Sequence, residues 1–380
     1  MKKIILFYPG YIPGKRYGGP VTSMYHFSEM FGDVYDIRIV CLNHDFLDKE
    51  IYQGIEKGWN SIGKSKVMYL NDNEFNSAMF DQIIGEIEPD LIYSSSIFSF
   101  GMNYPLIKIS RKRGIPLLLA PRGELSSDRL KNKSWKKRPF IYLLKVTKFL
   151  DKIAFQATSD AEYEDIINVL AIKPNNVYLV PNIPCSIGTK RNNTKEKGKI
   201  RIVATSRLQK KNNQLYSIKL VKRLKGEVIF DIYGPQEDPE YWAECEKEIL
   251  TAPKNVSFNY RGVLPLTEIE KVYLDYDCLL HPTFSENYGH VIVEALCHEC
   301  PIIISKGTTP WDSVEEKNAG FICELGEDQE FITALEKITN MDQETYSQMI
   351  MGTREYVKRL NLDDIKMQYI NMFQSIILSN

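Results

Sequence analysis

A doubly wound α/β architecture, occurring twice along the chain, is the fold class this sequence predicts. Three observations carry it. Short apolar runs recur at regular intervals, they are continuous rather than alternating, and amphipathic stretches separate them. Continuous apolar strands are the mark of parallel sheets covered on both faces, and strand followed by helix, repeated, winds such a sheet.

In order, the first half predicts strands at Ile4–Tyr8, Ile37–Leu42, Val67–Leu70, Leu91–Ser94, Pro116–Ala120, Phe155–Thr158 and Val177–Val180. Ala78–Ile87 and Tyr104–Lys112 between them have helical spacing of apolar residues. Gly188–Lys199 is polar, charged and free of apolar side chains, and reads as a linker. The pattern restarts with strands at Ile200–Thr205, Val228–Tyr233, Val256–Asn259, Cys278–His281, Pro301–Ser305 and Phe321–Cys323. Asp363–Leu378 has the pattern of one amphipathic helix. The expected division is therefore a Rossmann-like domain over 1–190, a second over 199–360, and a final helix over 361–380 that packs back on the first domain. Two such domains are expected to face each other across a cleft, with ligands beyond the carboxyl ends of the strands.

Composition narrows the function. The 380 residues suit two domains. With 43% hydrophobic and 26% charged residues the chain is ordinary globular protein, and a formal net charge of −1 excludes a chain built wholesale for nucleic acid. The apolar run after Met1-Lys2-Lys3 stops at Pro9-Gly10, too soon for a signal peptide, and no stretch reaches the roughly 20 apolar residues of a membrane span. A cytoplasmic location is expected. The seven cysteines are an odd number set mostly in apolar runs, so buried reduced thiols are expected.

The strongest local feature runs from His281 to Leu296. A strand enters a polar loop, and the loop enters a helix near Gly289. Glu286 lies on the loop, and Glu294 lies about 7 Å past the helix start at the usual rise. A diphosphate prefers such a helix start, where free N–H groups and the dipole favour negative charge. Asn287, Tyr288 and Gly289 could donate those N–H groups. A carboxylate at Glu294 could accept from both hydroxyls of a ribose, and one at Glu286 could hold sugar hydroxyls beyond the diphosphate. The run Ser206-Arg-Leu-Gln-Lys-Lys-Asn212 follows the first strand of the second half. Its cations could stabilise a departing diphosphate without a metal.

These residues resemble a known family. Glu286 and Glu294, with seven residues between, match the E-x7-E motif of retaining family 4 glycosyltransferases of the GT-B fold, and Ser285–Leu296 is similar to their S-E-x-F-G-x-x-x-x-E-A-L, with Tyr288 for the usual Phe. Arg207 and Lys211 resemble the cations of the family's G-R-L-x-x-x-K-[GN], although Ser206 replaces Gly and the spacing is one residue shorter, which leaves Lys210 as the alternative. Gly18 and Gly19 resemble the glycine-rich loop that reaches the donor phosphates, Ala120–Leu125 resembles a segment that brings Arg122 to the cleft, and Thr309-Pro-Trp311 resembles a loop near the donor. The resemblance implies a nucleotide-diphosphate sugar as donor and no metal cofactor. It implies a glycan or lipid-linked acceptor, cell-surface polysaccharide synthesis, and Glu286, Arg207, Lys211 and Arg122 as the catalytic set. Glu294, Gly18, Gly19, Ser285, Asn287, Tyr288 and Gly289 would bind the donor.

Other signals weigh less. Cys297-His-Glu-Cys300 has metal-like spacing but no second pair, and Asp275-Tyr-Asp277 sits at a helix–strand junction, so both read as structural. The five histidines form no metal cluster in sequence. Between Asp128 and Asp151 there is no acid, and the cations Arg129, Lys131, Lys133, Lys136, Lys137, Arg138, Lys145 and Lys148 are interleaved with aromatic and aliphatic residues. This stretch reads either as a solvated helix face or as a surface for an anionic membrane. A non-hydrolysing nucleotide-sugar epimerase and a non-catalytic sugar-nucleotide-binding protein are the rival functions. Product analysis by NMR separates the first, and the intact set of Glu286, Glu294, Arg207 and Lys211 argues against the second.

Overall fold

The computed structural model describes residues 1–131, 134–188, 191, 194–286 and 288–379. The chain divides into two compact units, one formed by Met1–Ile183 with the chain from Leu362 onward and the other by Pro184–Asn361.

The first unit holds an eight-stranded sheet: β1 (Lys3–Phe7), β2 (Asp36–Leu42), β3 (Trp59–Ile62), β4 (Ser65–Leu70), β5 (Leu91–Ser95), β6 (Leu117–Ala120), β7 (Ala154–Ala157) and β8 (Val177–Leu179). Their order is β3-β4-β2-β1-β5-β6-β7-β8, and every pairing is parallel except β3 on β4. The central strands are buried along their length, as continuous apolar runs require. β3 escapes sequence reading because it is a half-exposed edge strand with no apolar run. Helices begin where polar caps take the free N–H groups. Asn76 accepts from Ala78 and Met79 ahead of Ser77–Ile87, and Ser159 accepts from Glu162 ahead of Asp160–Leu170. The final helix, Leu362–Leu378, lies in this unit. Its Tyr369 and Phe373 pack among Phe27, Phe31 and Tyr93, and Tyr369 Oη accepts from Gln156 Nε2 at 2.8 Å and donates to Pro181 O at 3.1 Å.

The second unit is fully parallel. Its strands are β9 (Lys199–Thr205), β10 (Glu227–Tyr233), β11 (Val256–Tyr260), β12 (Cys278–His281), β13 (Ile302–Ser305) and β14 (Gly320–Cys323), in the order β11-β10-β9-β12-β13-β14. The order doubles back beside β9, so the loops after β9 and β12 meet at a topological switch point.

The polar stretch Gly188–Lys199, read from sequence as a linker, is docked on this unit where it is described. Gly188 N–H donates to Cys297 O at 3.0 Å and Arg191 N–H to Glu299 Oε2 at 3.0 Å. The Arg191 guanidinium is buried 3.6 Å from Asp277, and Lys195 Nζ donates to Glu196 O at 2.9 Å. Buried cations need such partners, and for Arg191 the partner comes from a distant part of the chain. Asp277, half of the D-x-D sequence, thus serves structure, and it also accepts from Arg201 N–H at 2.9 Å. All seven cysteines are free and buried.

Candidate functional site

Strand β12 ends at His281, and the loop 282–289 leads into the helix His290–Cys297. Gly289 caps that helix with φ 73°, a conformation that L side chains rarely adopt. A side chain there would also come within 3.0 Å of Ile292. Gly289 offers no side-chain cap to this helix, and Ile292 N–H turns back to Gly289 O at 2.9 Å. The loop is pinned from several directions. Glu286 N–H donates to Thr308 O at 2.7 Å, Trp311 Nε1 donates to Tyr288 O, and Ser305 Oγ donates to Thr283 O at 2.5 Å. Thr308 and Trp311, at the Thr309-Pro-Trp311 segment, therefore hold the loop in shape. Ser285 is exposed on it, and Asn287 lies outside the described residues.

The loop after β9 is stitched to the loop after β12. The Lys211 carbonyl accepts from Phe284 N–H at 3.0 Å and from Thr283 Oγ1 at 3.2 Å, and Asn213 Nδ2 donates to Pro282 O at 3.1 Å. That fixes where Lys211 reaches: its Nζ lies 3.8 Å from Glu286 Oε2. Lys210, one residue earlier, lines an open depression of about 690 Å³ with Gln209, Lys211 and Glu237. Arg207 pairs with Glu237 at 3.3 Å. Burial pushes the Glu286 carboxyl up, but the His281 ring and the Lys211 and Arg207 cations outweigh it and hold Glu286 below the usual carboxylate range. Glu294 has the opposite setting. It is buried in its helix with no cation to compensate, and burial pushes it up to about 7.

In the first unit, Gly18 precedes the helix Gly19–Phe31 with φ 72°, and no atom lies within 4 Å of where its side chain would be. Glycine is needed there for the backbone turn rather than for room. No side chain caps this helix either. Arg122, at φ 56°, is engaged inside its own unit, donating from Nη2 to Tyr93 Oη at 2.7 Å and from Nη1 to Asn182 Oδ1. Among the described residues no group of three or more His, Cys, Asp or Glu is placed to hold a metal ion. His281 belongs to no metal-binding pattern in the sequence. Its place at a strand end, just ahead of the motif, was the available signal.

Residues 187–356 match the family model described as "Glycosyl transferases group 1". That span covers the β9 and β12 loops and the helix with Glu294. The chain is a glycosyltransferase. The whole chain aligns with solved structures of this class. Anabaena HepE, solved with UDP and glucose, is 16% identical with a TM-score of 0.70, over 99% of this chain and 100% of that one. Sucrose-phosphate synthase from Thermosynechococcus elongatus is 12% identical with a TM-score of 0.70, over 100% of both chains. A variant of S. aureus TarM, solved with fondaparinux, alpha-GlcNAc-glycerol and UDP, is 13% identical with a TM-score of 0.66, over 98% of this chain and 100% of that one. At these identities the likeness establishes the fold, and the fold is GT-B. No curated protein sequence matches the glycosyltransferase significantly.

Proposed function

We propose that the glycosyltransferase is a retaining enzyme of the family 4 type, moving a sugar from a nucleotide-diphosphate sugar to a hydroxyl of a glycan or lipid-linked acceptor in cell-surface polysaccharide synthesis. The observation that carries this is Glu286, ionised between two nitrogens, just ahead of a helix start at Gly289, with Glu294 buried beyond it and pushed up to about 7. The helix start and Gly289 take the diphosphate. Glu294 accepts from the ribose hydroxyls and Glu286 from hydroxyls of the transferred sugar. Arg207 and Lys211 stabilise the charge that accumulates as the sugar–phosphate bond breaks. The acceptor oxygen bonds to the anomeric carbon on the face the diphosphate leaves, and its proton passes to the departing phosphate oxygen. These groups do the work with no metal cofactor. The HepE complexes with UDP and UDP-glucose support a uridine nucleotide as the first donor to test.

A thermal-shift screen against UDP-, GDP- and ADP-sugars tests the reading, since a ligand of the native state raises the melting temperature. One class of nucleotide sugar should stabilise the protein and be consumed with retention at the anomeric carbon. No binding to any of them would overturn it.

We further propose that the enzyme works at the cytoplasmic face of an anionic membrane, touching it through Arg129–Lys148. Lys133 lies outside the described residues. On the helix Ser134–Val146, Trp135, Tyr142, Leu143 and Val146 are more than half exposed beside Lys136, Arg138 and Lys145. Exposed rings among cations suit a lipid interface rather than plain solvent. No helix among the described residues is long and apolar enough to cross a membrane. Binding to phosphatidylglycerol vesicles, lost when Trp135, Lys136 and Arg138 are replaced together, is the expected result.

A further inference from the structure

His281 is the last residue of β12. Its side chain is 1% exposed, and its Nε2 is buried without a hydrogen-bond partner. Native folds rarely leave a buried polar nitrogen without a partner unless one arrives with a ligand or a rearrangement. That nitrogen lies 3.8 Å from Glu286 Oε1, while Lys211 Nζ lies 3.8 Å from Glu286 Oε2. Each oxygen of one carboxylate therefore faces its own nitrogen. Neither separation is yet a hydrogen bond, and closing either needs about 1 Å.

The two nitrogens differ in how they are held. The imidazole is buried at the end of a central strand, with few rotatable bonds. The lysine side chain is 34% exposed on a loop and has a long flexible stem. A bound diphosphate brings strong negative charge next to the Lys211 loop and competes with Glu286 for the ammonium. Once Lys211 turns to phosphate, Glu286 loses the partner on Oε2, and an unrestrained carboxylate would no longer present one geometry to the sugar.

We infer that His281 is the positioning residue that takes over Glu286 when the donor binds. Nε2–H donates to Oε1, which keeps the carboxylate in the plane that accepts from the sugar hydroxyls. The role demands a proton on Nε2, and both the imidazolium and the neutral tautomer with Nε2–H supply it. The inference rests on the proposed roles of Glu286 and Lys211.

Kinetics on the full-length protein test it. The probe is UDP-glucose, or the sugar nucleotide giving the largest melting shift in the screen, and the readout is its turnover, with hydrolysis used where no acceptor is known. A glutamine amide nitrogen reaches about as far as Nε2, whereas an asparagine amide stops short of it. His281→Asn and His281→Leu should lower kcat about 10- to 100-fold with the donor KM within about threefold of wild type, since misplacement at the reacting centre acts on the chemical step. His281→Gln should recover most of the loss. UDP affinity and melting temperature, measured alongside, should stay near wild type in the Gln and Asn variants. Equal impairment of Gln and Asn, wild-type kcat in Leu, or a loss confined to KM would each overturn the inference. Glu286→Gln separates it from the parent reading. If that variant is inactive while His281→Leu is fully active, only the His281 role fails. If Glu286→Gln is itself fully active, the sugar-facing role of Glu286 fails.

Discussion

The loop 282–289 and the helix His290–Cys297 each carry one glutamate of the same motif, and they hold it in opposite electrostatic conditions. Glu286 is partly exposed with Lys211 and His281 at its two oxygens, and those groups keep it ionised below the usual range. Glu294 is buried without a compensating cation and titrates at about 7. Two chemically identical side chains are thereby placed in opposite ionisation settings. A carboxylate ionised at all working pH suits steady contact with sugar hydroxyls. Under the proposed role, a carboxylate pushed up to about 7 would bind a ribose well only after losing its proton, which would couple nucleotide binding to pH.

The comparison breaks first at Glu286. Glu286→Gln keeps the size and removes the charge, and should lower turnover by roughly 10²–10³-fold with UDP affinity nearly unchanged; a large loss of UDP affinity instead would assign Glu286 to the nucleotide. Next is Lys211→Met, expected to lower kcat about 10²-fold through lost stabilisation of the leaving diphosphate. Since the Lys211 charge helps hold Glu286 down, its removal lets Glu286 rise, so the acid limb of the pH–rate profile should move to higher pH. An unmoved limb would separate Lys211 from Glu286.

Glu294 predicts a pH dependence of opposite sign. Its folded value lies above the ordinary 4.5, so between about 4.5 and about 7 the folded protein binds more protons than the unfolded chain. Stability of the ligand-free protein should therefore fall as pH rises through that window. The full penalty is roughly 3 kcal/mol at 1.36 kcal/mol per unit. Glu294→Gln should remove that slope and melt higher than wild type at pH 8. UDP affinity of the wild type should weaken up to about tenfold per pH unit below about 7 and lose this dependence in the variant, as titration calorimetry would show. The smallest effect is at Arg207. Its partner Glu237 is partly exposed, so Glu237→Gln should change stability by less than about 1 kcal/mol.

Much of this was legible in the residues. Buried parallel strands announce themselves because both faces must be apolar, and Ile4, Ile5, Leu6 and Phe7 or Ile302, Ile303 and Ile304 leave little room for another reading. The candidate site was legible as chemistry at a strand–loop–helix junction. The edge strand Trp59–Ile62 was not, since a half-exposed strand carries no continuous run. Nor was the docking of Gly188–Lys199, whose Arg191 looks like a solvated cation until Asp277 is brought to 3.6 Å. His281 showed in the sequence only its place at a strand end, because its significance lies in a missing partner and a distance.

The sequence by itself determined the two-fold repetition of the α/β pattern, the place of Glu286 before a helix and Glu294 within it, and the supply of cations after β9. Periodicity and residue type are local properties, and a strand or a carboxylate remains one whatever surrounds it. Only the tertiary structure decided that Lys211 rather than Lys210 approaches Glu286, that Arg122 is engaged by Tyr93 and Asn182, and that one glutamate is held ionised while burial pushes the other up to about 7. Burial and the field of neighbouring charges set those outcomes, and both depend on residues far apart in the chain that meet only when it folds.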